Sequence, residues 1–248
     1  MSRNFELLQR ASRDEQWRGD SAPQPSISRT YEMRPVPEAH VLSREELVKL
    51  VQLVFLLPRE VSRNVVVFTA AASGNGCSSI CVGAAEALAA QAEQPVCIVD
   101  SNLHSPSLHL CFDVENGRGL SEALWHGGPI REYVQELRSP NLSLLPSGAK
   151  SLPMAGTMSS SRLATRIAEL RQEFRYILMD SPPLNIYSDA IALGQCADGV
   201  ILIVSANSTR REAARNAKEC LQNAGAQLLG AVLNNRTYPI PQAIYDRL

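Results

Sequence analysis

A small turn, Ser73-Gly74-Asn75-Gly76, lies between an apolar run and a segment with helical periodicity. This order of strand, loop and helix is typical of phosphate-binding loops, because the N–H groups at the start of a helix bind phosphate oxygens. On the pattern G-x-x-x-x-G-K-[ST], the last glycine is Gly76, the hydroxyl residue is Ser78, and Cys77 takes the place of the lysine. The residues expected to surround a phosphate are Ser73, Gly74, Asn75, Gly76, Cys77, Ser78 and Ser79. The sequence therefore predicts a phosphate site that has lost its positive charge.

Two aspartates end apolar runs further along the chain, Asp100 in CIVD and Asp180 in ILMD. In proteins with a phosphate-binding loop, an acid at such a strand end organises Mg²⁺ or its water shell. The alternative for Asp180 is that it only caps the following turn. A second acid two residues after Asp100 would indicate a metal site, but Asn102 stands there, and an amide cannot accept a proton. We predict Asp100 and Asp180 as catalytic residues and, with Ser78, as metal ligands.

Short apolar runs alternate with helical patterns over most of the chain. Strands are predicted at 65–69, 96–99, 142–145, 176–179, 200–204 and 228–233, and helices at 78–92, 161–173 and 210–224. Apolar strands separated by helices indicate an α/β fold with a doubly wound, mostly parallel sheet, in three αβα layers. Ligands of such sheets bind at the carboxyl ends of the strands, where the loop and both aspartates fall.

The chain divides into two parts. Residues 1–42 are rich in Arg, Ser, Pro and acidic residues and are expected to form a flexible N-terminal arm. Residues 43–248 are expected to form one domain. It begins with a capping box of Ser43 and Glu46, which starts a helix that ends before Pro58.

Composition excludes several classes of protein. The chain has 24 basic and 25 acidic residues and a net charge of −1, so no nucleic-acid partner is expected. No segment approaches the ~18 apolar residues of a membrane span, and the charged N-terminus lacks the apolar core of a signal peptide. A cytoplasmic location is therefore predicted. The six cysteines include no C-x-x-C pair, and Cys77 and Cys81 have no neighbouring His or carboxylate in sequence to complete a metal site.

Several short motifs occur in the order known from one family. They are the loop at 71–79, a D-x-D-x-x-x-P-S-L-H-like stretch at 100–109, G-L-S-x-x-L at 119–124, N-L-x-x-L-P-x-G at 141–148 and D-x-P-P at 180–183. By these motifs, residues 43–240 resemble the cytoplasmic catalytic domain of the bacterial tyrosine kinases (BY-kinases) of exopolysaccharide biosynthesis. That family belongs to the MinD/ParA-like deviant P-loop class. The resemblance implies a P-loop NTPase-like fold that binds ATP or ADP with Mg²⁺.

The same resemblance implies partners and a location. Short members of the family lack membrane segments and work with a separate transmembrane protein, a polysaccharide co-polymerase or adaptor. We therefore expect a peripheral location at the inner face of the cell membrane through that partner, and a homo-oligomer. Active members end in a tyrosine cluster that is phosphorylated in trans. This chain has only Tyr238 and Tyr245 there, which are the candidate phosphoacceptors; the alternative is that they anchor the C-terminal segment.

The sequence departs from the family at positions that carry charge. Cys77 replaces the phosphate-binding lysine, Asn102 replaces the second acid, and Ala72 stands where ParA-like members have a further lysine. His104 replaces a more usual arginine and is expected to be a surface residue. A lysine–phosphate contact contributes about 1.5–3 kcal/mol, so these changes are expected to weaken nucleotide binding and catalysis.

Three functions remain open. The first is an active, ATP-dependent protein-tyrosine autokinase that regulates polysaccharide polymerisation or export. The second, favoured by Cys77 and Asn102, is a tyrosine-kinase-like protein with weakened or no catalysis that docks on the export machinery. The third is a MinD/ParA-type positioning ATPase, which depends most on the missing loop lysines.

Overall fold

The computed structural model describes residues 42–58, 62–149, 160–206 and 208–236. The predicted arm, except for its last residue, and both candidate phosphoacceptors, Tyr238 and Tyr245, lie outside the described residues.

In the described part of the chain, seven strands form one sheet, and six of them run parallel. Their order across the sheet is β3-β4-β2-β5-β1-β6-β7, and only β3 is antiparallel to its neighbour, β4. The strands are β1 (Val65–Ala70), β2 (Val96–Asp100), β3 (Gln135–Glu136), β4 (Leu142–Leu145), β5 (Tyr176–Asp180), β6 (Gly199–Ser205) and β7 (Leu228–Asn234). The predicted fold class is confirmed.

Helices lie between the strands and cover both faces of the sheet. The α-helices of the described residues are α1 (Arg44–Val51), α2 (Cys77–Gln91), α3 (Leu108–Phe112), α4 (Leu120–His126), α5 (Ser160–Glu173), α6 (Asp189–Cys196) and α7 (Arg211–Asn223). A π-helical turn, Gln52–Leu56, continues α1, and a 3-10 turn spans Ile130–Tyr133.

The sheet separates two apolar layers, because successive side chains of a strand point to opposite faces. In β1, Val66 and Phe68 pack in the cluster that includes α1 and α2, whereas Val65 and Val67 pack in the cluster that includes α5. All six residues of β1 are buried. The carboxyl end of this central strand is therefore held rigidly beside that of β5, where the candidate site lies.

Several elements differ from the sequence predictions. Helices α3, α4 and α6 and strand β3 were not predicted, since they have between two and eight residues and little periodicity. The single helix predicted from Ser43 to Pro58 is instead an α-helix followed by the π-helical turn.

The predicted capping box at the start of α1 is present and gives a test of the domain's first element. Ser43 Oγ accepts a hydrogen bond from the N–H of Glu46 at 3.3 Å, and the Ser43 N–H donates to Glu46 Oε2 at 2.8 Å. We expect Ser43→Ala to lower the free energy of unfolding by about 1 kcal/mol, measured by urea denaturation, because the N–H of Glu46 loses its side-chain acceptor. Ser43→Thr keeps the acceptor and should cost less; equal losses in both variants would contradict a capping role.

Candidate functional site

The loop between β1 and α2 has the backbone shape of a phosphate-binding loop. Gly74 (φ 79°) and Gly76 (φ 82°) both lie in the left-handed region, which disfavours residues with a side chain. A Cβ on Gly76 would also collide with the side-chain amide of Asn234. Gly76 is the N-cap of α2, whose 15 residues place a partial positive charge at the loop. Both glycines of the turn are thus required by its geometry.

The side chain of Asn75 does not point to the surface but fixes the loop from behind. Asn75 is 3% exposed, and its amide donates to Ile203 O at 3.3 Å and to Thr209 Oγ1 at 3.0 Å. The backbone carbonyl oxygen of Asn75 accepts a hydrogen bond from Asn234 Nδ2 at 2.8 Å. The loop is therefore attached to β6, to β7 and to the segment before α7 through neutral groups.

Ser78 and Asp180 meet, as expected of a hydroxyl and an acid at neighbouring strand ends. Ser78 Oγ donates to Asp180 Oδ2 at 2.6 Å. Burial raises the pKa of Asp180 to about 7; the Ser78 hydrogen bond opposes this shift, and the nearby charge of Asp100 adds to it. Asp180 Oδ1 is buried and has no hydrogen-bond partner among the described residues. A carboxylate oxygen in this condition suits a cation or its bound water.

Asp100 lies opposite Asp180 in the register of β2 and β5 and is equally buried. Its Oδ2 accepts hydrogen bonds from the N–H groups of Ser107 and Leu108, each at 3.0 Å, and Oδ1 accepts one from Asn102 N at 3.2 Å. Burial raises the pKa of Asp100 in spite of these donors. The carboxyl group of Asp100 thus fixes the loop after β2, in addition to any part it takes in a metal site.

A cleft of about 360 Å³ opens over the loop. It lies between the loop and the segments that follow β2 and β5, and both aspartates are buried behind its lining. The lining residues are Ala70, Ala72, Ser73, Gly74, Asn75, Gly76, Cys77, Ser78, Ser79, Asn102, Ser105, Ser107, Ser181, Pro183, Ile186 and Tyr187. None of them is lysine or arginine, so within the described residues the lining supplies no cationic side chain.

Cys77 is the first residue of α2 and lines the cleft. Burial and the neighbouring charge of Asp180 raise the pKa of the Cys77 thiol well above its usual range. Its side chain is therefore neutral at physiological pH, and it neither attracts nor repels a phosphate group.

His104 is not the plain surface residue that the sequence predicted. Its Nε2 lies 2.7 Å from Asp189 Oδ2, and its ring stacks on that of Tyr187 with centroids 3.6 Å apart and planes at 15°. These contacts join the segment after β2 to the segment after β5 at the edge of the cleft. Sequence reasoning missed them because the bonded partners are 85 positions apart and no local pattern connects them.

No helix among the described residues is long and apolar enough to cross a membrane.

Comparisons with known proteins agree with this geometry. The family model of the cellulose biosynthesis protein BcsQ matches residues 63–228, more than half of the chain. Tyrosine-protein kinase YwqD of Bacillus subtilis is 32% identical over 171 residues, which are 69% of this chain and 72% of YwqD.

Solved structures give the same result at the level of the fold. The crystal structure of the chimerical protein CapA2B2 has a TM-score of 0.72 and 26% identity, and the match covers 78% of this chain and 85% of that one. The septum site-determining protein MinD of Pyrococcus horikoshii, complexed with Mg-ADP, has a TM-score of 0.59 and 20% identity, over 74% and 76% of the two chains. The chain therefore belongs to the P-loop family that includes BcsQ and the bacterial tyrosine-protein kinases, and it has the MinD-type fold.

Proposed function

We propose that this chain is a tyrosine-kinase-like P-loop protein of surface or exopolysaccharide biosynthesis and export, in which catalysis is weakened or lost. One observation carries the proposal. The cleft retains the bent loop and the Ser78–Asp180 hydrogen bond, but Cys77 occupies the lysine position and the described lining offers no other cation. Such a site keeps the shape of a nucleotide site without its principal positive charge.

The cofactor that this site fits is ATP or ADP with Mg²⁺. MinD, which shares the fold, is known as a complex with Mg-ADP. In this chain the N–H groups of residues 73–79 would bind the phosphates, and Ser78 and Asp180, with Asp100 beside them, would hold the metal. The orphaned Asp180 Oδ1 supports this assignment. When bound, Mg²⁺ neutralises charge on the phosphates.

Efficient phosphoryl transfer does not follow from these residues. Stabilisation of the developing charge by a well-placed donor contributes about 10²–10³-fold in rate, and a neutral thiol supplies none of it. Asn102 lines the cleft where the family has an acid, and its amide cannot accept the proton of a tyrosine hydroxyl. The chain can therefore hold a nucleotide weakly while lacking two groups that catalysis uses.

The biological role is proposed from the family. The matching family model is that of a cellulose biosynthesis protein, and YwqD is a tyrosine-protein kinase. We propose that residues 43–248 form the domain that docks on a transmembrane polysaccharide co-polymerase or adaptor at the inner face of the cell membrane. The same proposal includes assembly as a homo-oligomer. It also includes Tyr238 and Tyr245 as the phosphoacceptors of any residual reaction.

Incubation of the purified full chain with Mg-ATP tests the catalytic part. We expect no more phosphotyrosine, by mass spectrometry, than in a matched Tyr238→Phe, Tyr245→Phe double variant. Substantial labelling of either tyrosine would favour the alternative, an active autokinase.

The docking part requires that a strain carrying Ser78→Ala still makes polysaccharide while a strain lacking the gene does not. Loss of polysaccharide in both strains would mean that nucleotide chemistry is needed.

A further inference from the structure

Behind the lining of the cleft lie two buried carboxyl groups, and the lining, within the described residues, contains no lysine or arginine. Asp100 and Asp180 are both fully buried at adjacent strand ends, and Asp180 Oδ1 has no hydrogen-bond partner among the described residues. His109 acts electrostatically on Asp100 and lowers its pKa slightly against the effect of burial, but it does not line the cleft. A usual phosphate-binding loop has a lysine at this position of the loop, whereas this chain has Cys77 there.

This charge distribution decides which form of a nucleotide the cleft accepts. The N-terminus of α2 offers only about half of an elementary positive charge, which is less than the charge of a single ionised carboxylate behind the cleft. A metal-free nucleoside diphosphate brings further negative charge into the same partly dry volume, where like charges repel strongly. In its complex with a divalent cation, the cation would supply the positive charge that the loop lacks, and Ser78 and Asp180 would be the residues that hold it.

We propose that this chain binds a nucleotide only as its complex with a divalent cation and excludes the metal-free nucleotide, because the metal takes over the attraction that lysine supplies in other phosphate-binding loops. This inference rests on the proposed nucleotide site and deepens it. It makes nucleotide binding dependent on the supply of the metal, which a loop containing lysine does not require to the same extent.

The residues favour a cation that arrives with the nucleotide over one that resides in the protein. No group of three or more His, Cys, Asp or Glu side chains within the described residues is arranged to hold a metal ion. A zinc or calcium site resident in a protein needs about three or more protein ligands, whereas Mg²⁺ uses one or two carboxylates together with phosphates and water. Ser78 Oγ and Asp180 at the base of the cleft match the smaller set.

Calorimetric titration of the full chain at pH 8 tests the proposal. ADP is titrated into each of three proteins, which are the natural protein, Cys77→Lys and Cys77→Met. Each titration is done once in buffer with MgCl₂ and once in buffer with EDTA. Methionine extends the side chain without adding charge and is the matched control. We expect the natural protein and Cys77→Met to bind Mg-ADP at least about 100-fold more tightly than metal-free ADP, the effect of a charge contact in a partly buried site. In Cys77→Lys the ratio should fall below about tenfold.

Each outcome decides a separate point. Binding of Mg-ADP and metal-free ADP within threefold in the natural protein would overturn the metal requirement while leaving the proposed nucleotide site intact. An unchanged ratio in Cys77→Lys would overturn its assignment to the missing lysine. No heat with either form in the natural protein up to millimolar ADP would overturn the inference, and restored binding in Cys77→Lys would then show that the cradle itself is sound.

Discussion

Replacement of Cys77 by lysine should raise the affinity for Mg-ADP by about 10- to 150-fold, the effect of one charge-assisted hydrogen bond. The loop is already bent as phosphate binding requires, with Gly74 and Gly76 in the left-handed region, and Asn75 fixes it from behind. The new side chain would begin at the first residue of α2 and enter the cleft that Cys77 now lines. Affinity should therefore rise without any rearrangement of the backbone.

The size of this effect can be measured by titration with fluorescent ADP in excess Mg²⁺. Cys77→Ala removes the thiol without adding charge and should leave the affinity within about threefold of the natural value, since the thiol is neutral. Thermal melting of both variants checks that they fold. A folded Cys77→Lys protein with unchanged affinity would mean that the missing charge is not what limits nucleotide binding.

Restored affinity need not restore phosphotransfer, and the two should be measured separately. Asn102 also lines the cleft in place of the family's second acid, and lysine at position 77 does nothing to supply a proton acceptor. A Cys77→Lys protein that binds Mg-ATP but labels no tyrosine would place the remaining loss at Asn102 or in the tail.

The parallel strands were predictable because each must bury a run of apolar residues on two faces. The runs at 65–69 and 176–179 match β1 and β5 to within one residue. Strand β3 could not be predicted in the same way, because it consists of Gln135 and Glu136 and exists only through pairing with β4. Helix α6 was missed since its eight residues, DAIALGQC, are mostly apolar around the whole circumference.

Part of the candidate site follows from the same rule. Ser78 and Asp180 meet because the loop after β1 and the end of β5 belong to neighbouring strands, so strand order alone brings them together. The contacts of Asn75 with Thr209 and Asn234 span 134 and 159 positions and depend on the register of β6 and β7. No local pattern contains that register, so the sequence identified the loop but not what fixes it.

The second large expected effect concerns Asp180 and the pH dependence of stability. The pKa of this carboxyl group lies at about 7 in the folded chain, whereas an unfolded chain has the usual value of 3.8. Between these two pH values the folded state binds the extra proton, so the free energy of unfolding must fall as pH rises. A shift of about three pKa units corresponds to roughly 4 kcal/mol, as an order of magnitude. The folded chain thus loses stability when Asp180 ionises.

Asp180→Asn removes this ionisation and keeps the size of the side chain and an oxygen that can accept from Ser78 Oγ. The free energy of unfolding of the variant minus that of the natural chain should increase by several kcal/mol as pH rises from 4 to 8, because only the natural chain loses stability when position 180 ionises. Urea denaturation in EDTA at a series of pH values measures the difference. A difference that stays constant over this range would mean that the carboxyl group is not strained by burial.

Asp198 provides a control of opposite sign. Burial acts to raise the pKa of Asp198, but the Arg171 guanidinium and the N–H groups of Val65 and Asn64 outweigh it and hold the pKa below the usual range. Asp198→Asn should therefore destabilise the chain at neutral pH, and the difference should shrink as pH falls through the lowered pKa. Two carboxylates beside the strands of one sheet would then respond to pH in opposite directions, because Asp198 pairs with Arg171, whereas Asp180 pairs with no lysine or arginine in the ion pairs found among the described residues. That contrast supports the proposal that a bound ligand brings the cation to Asp180.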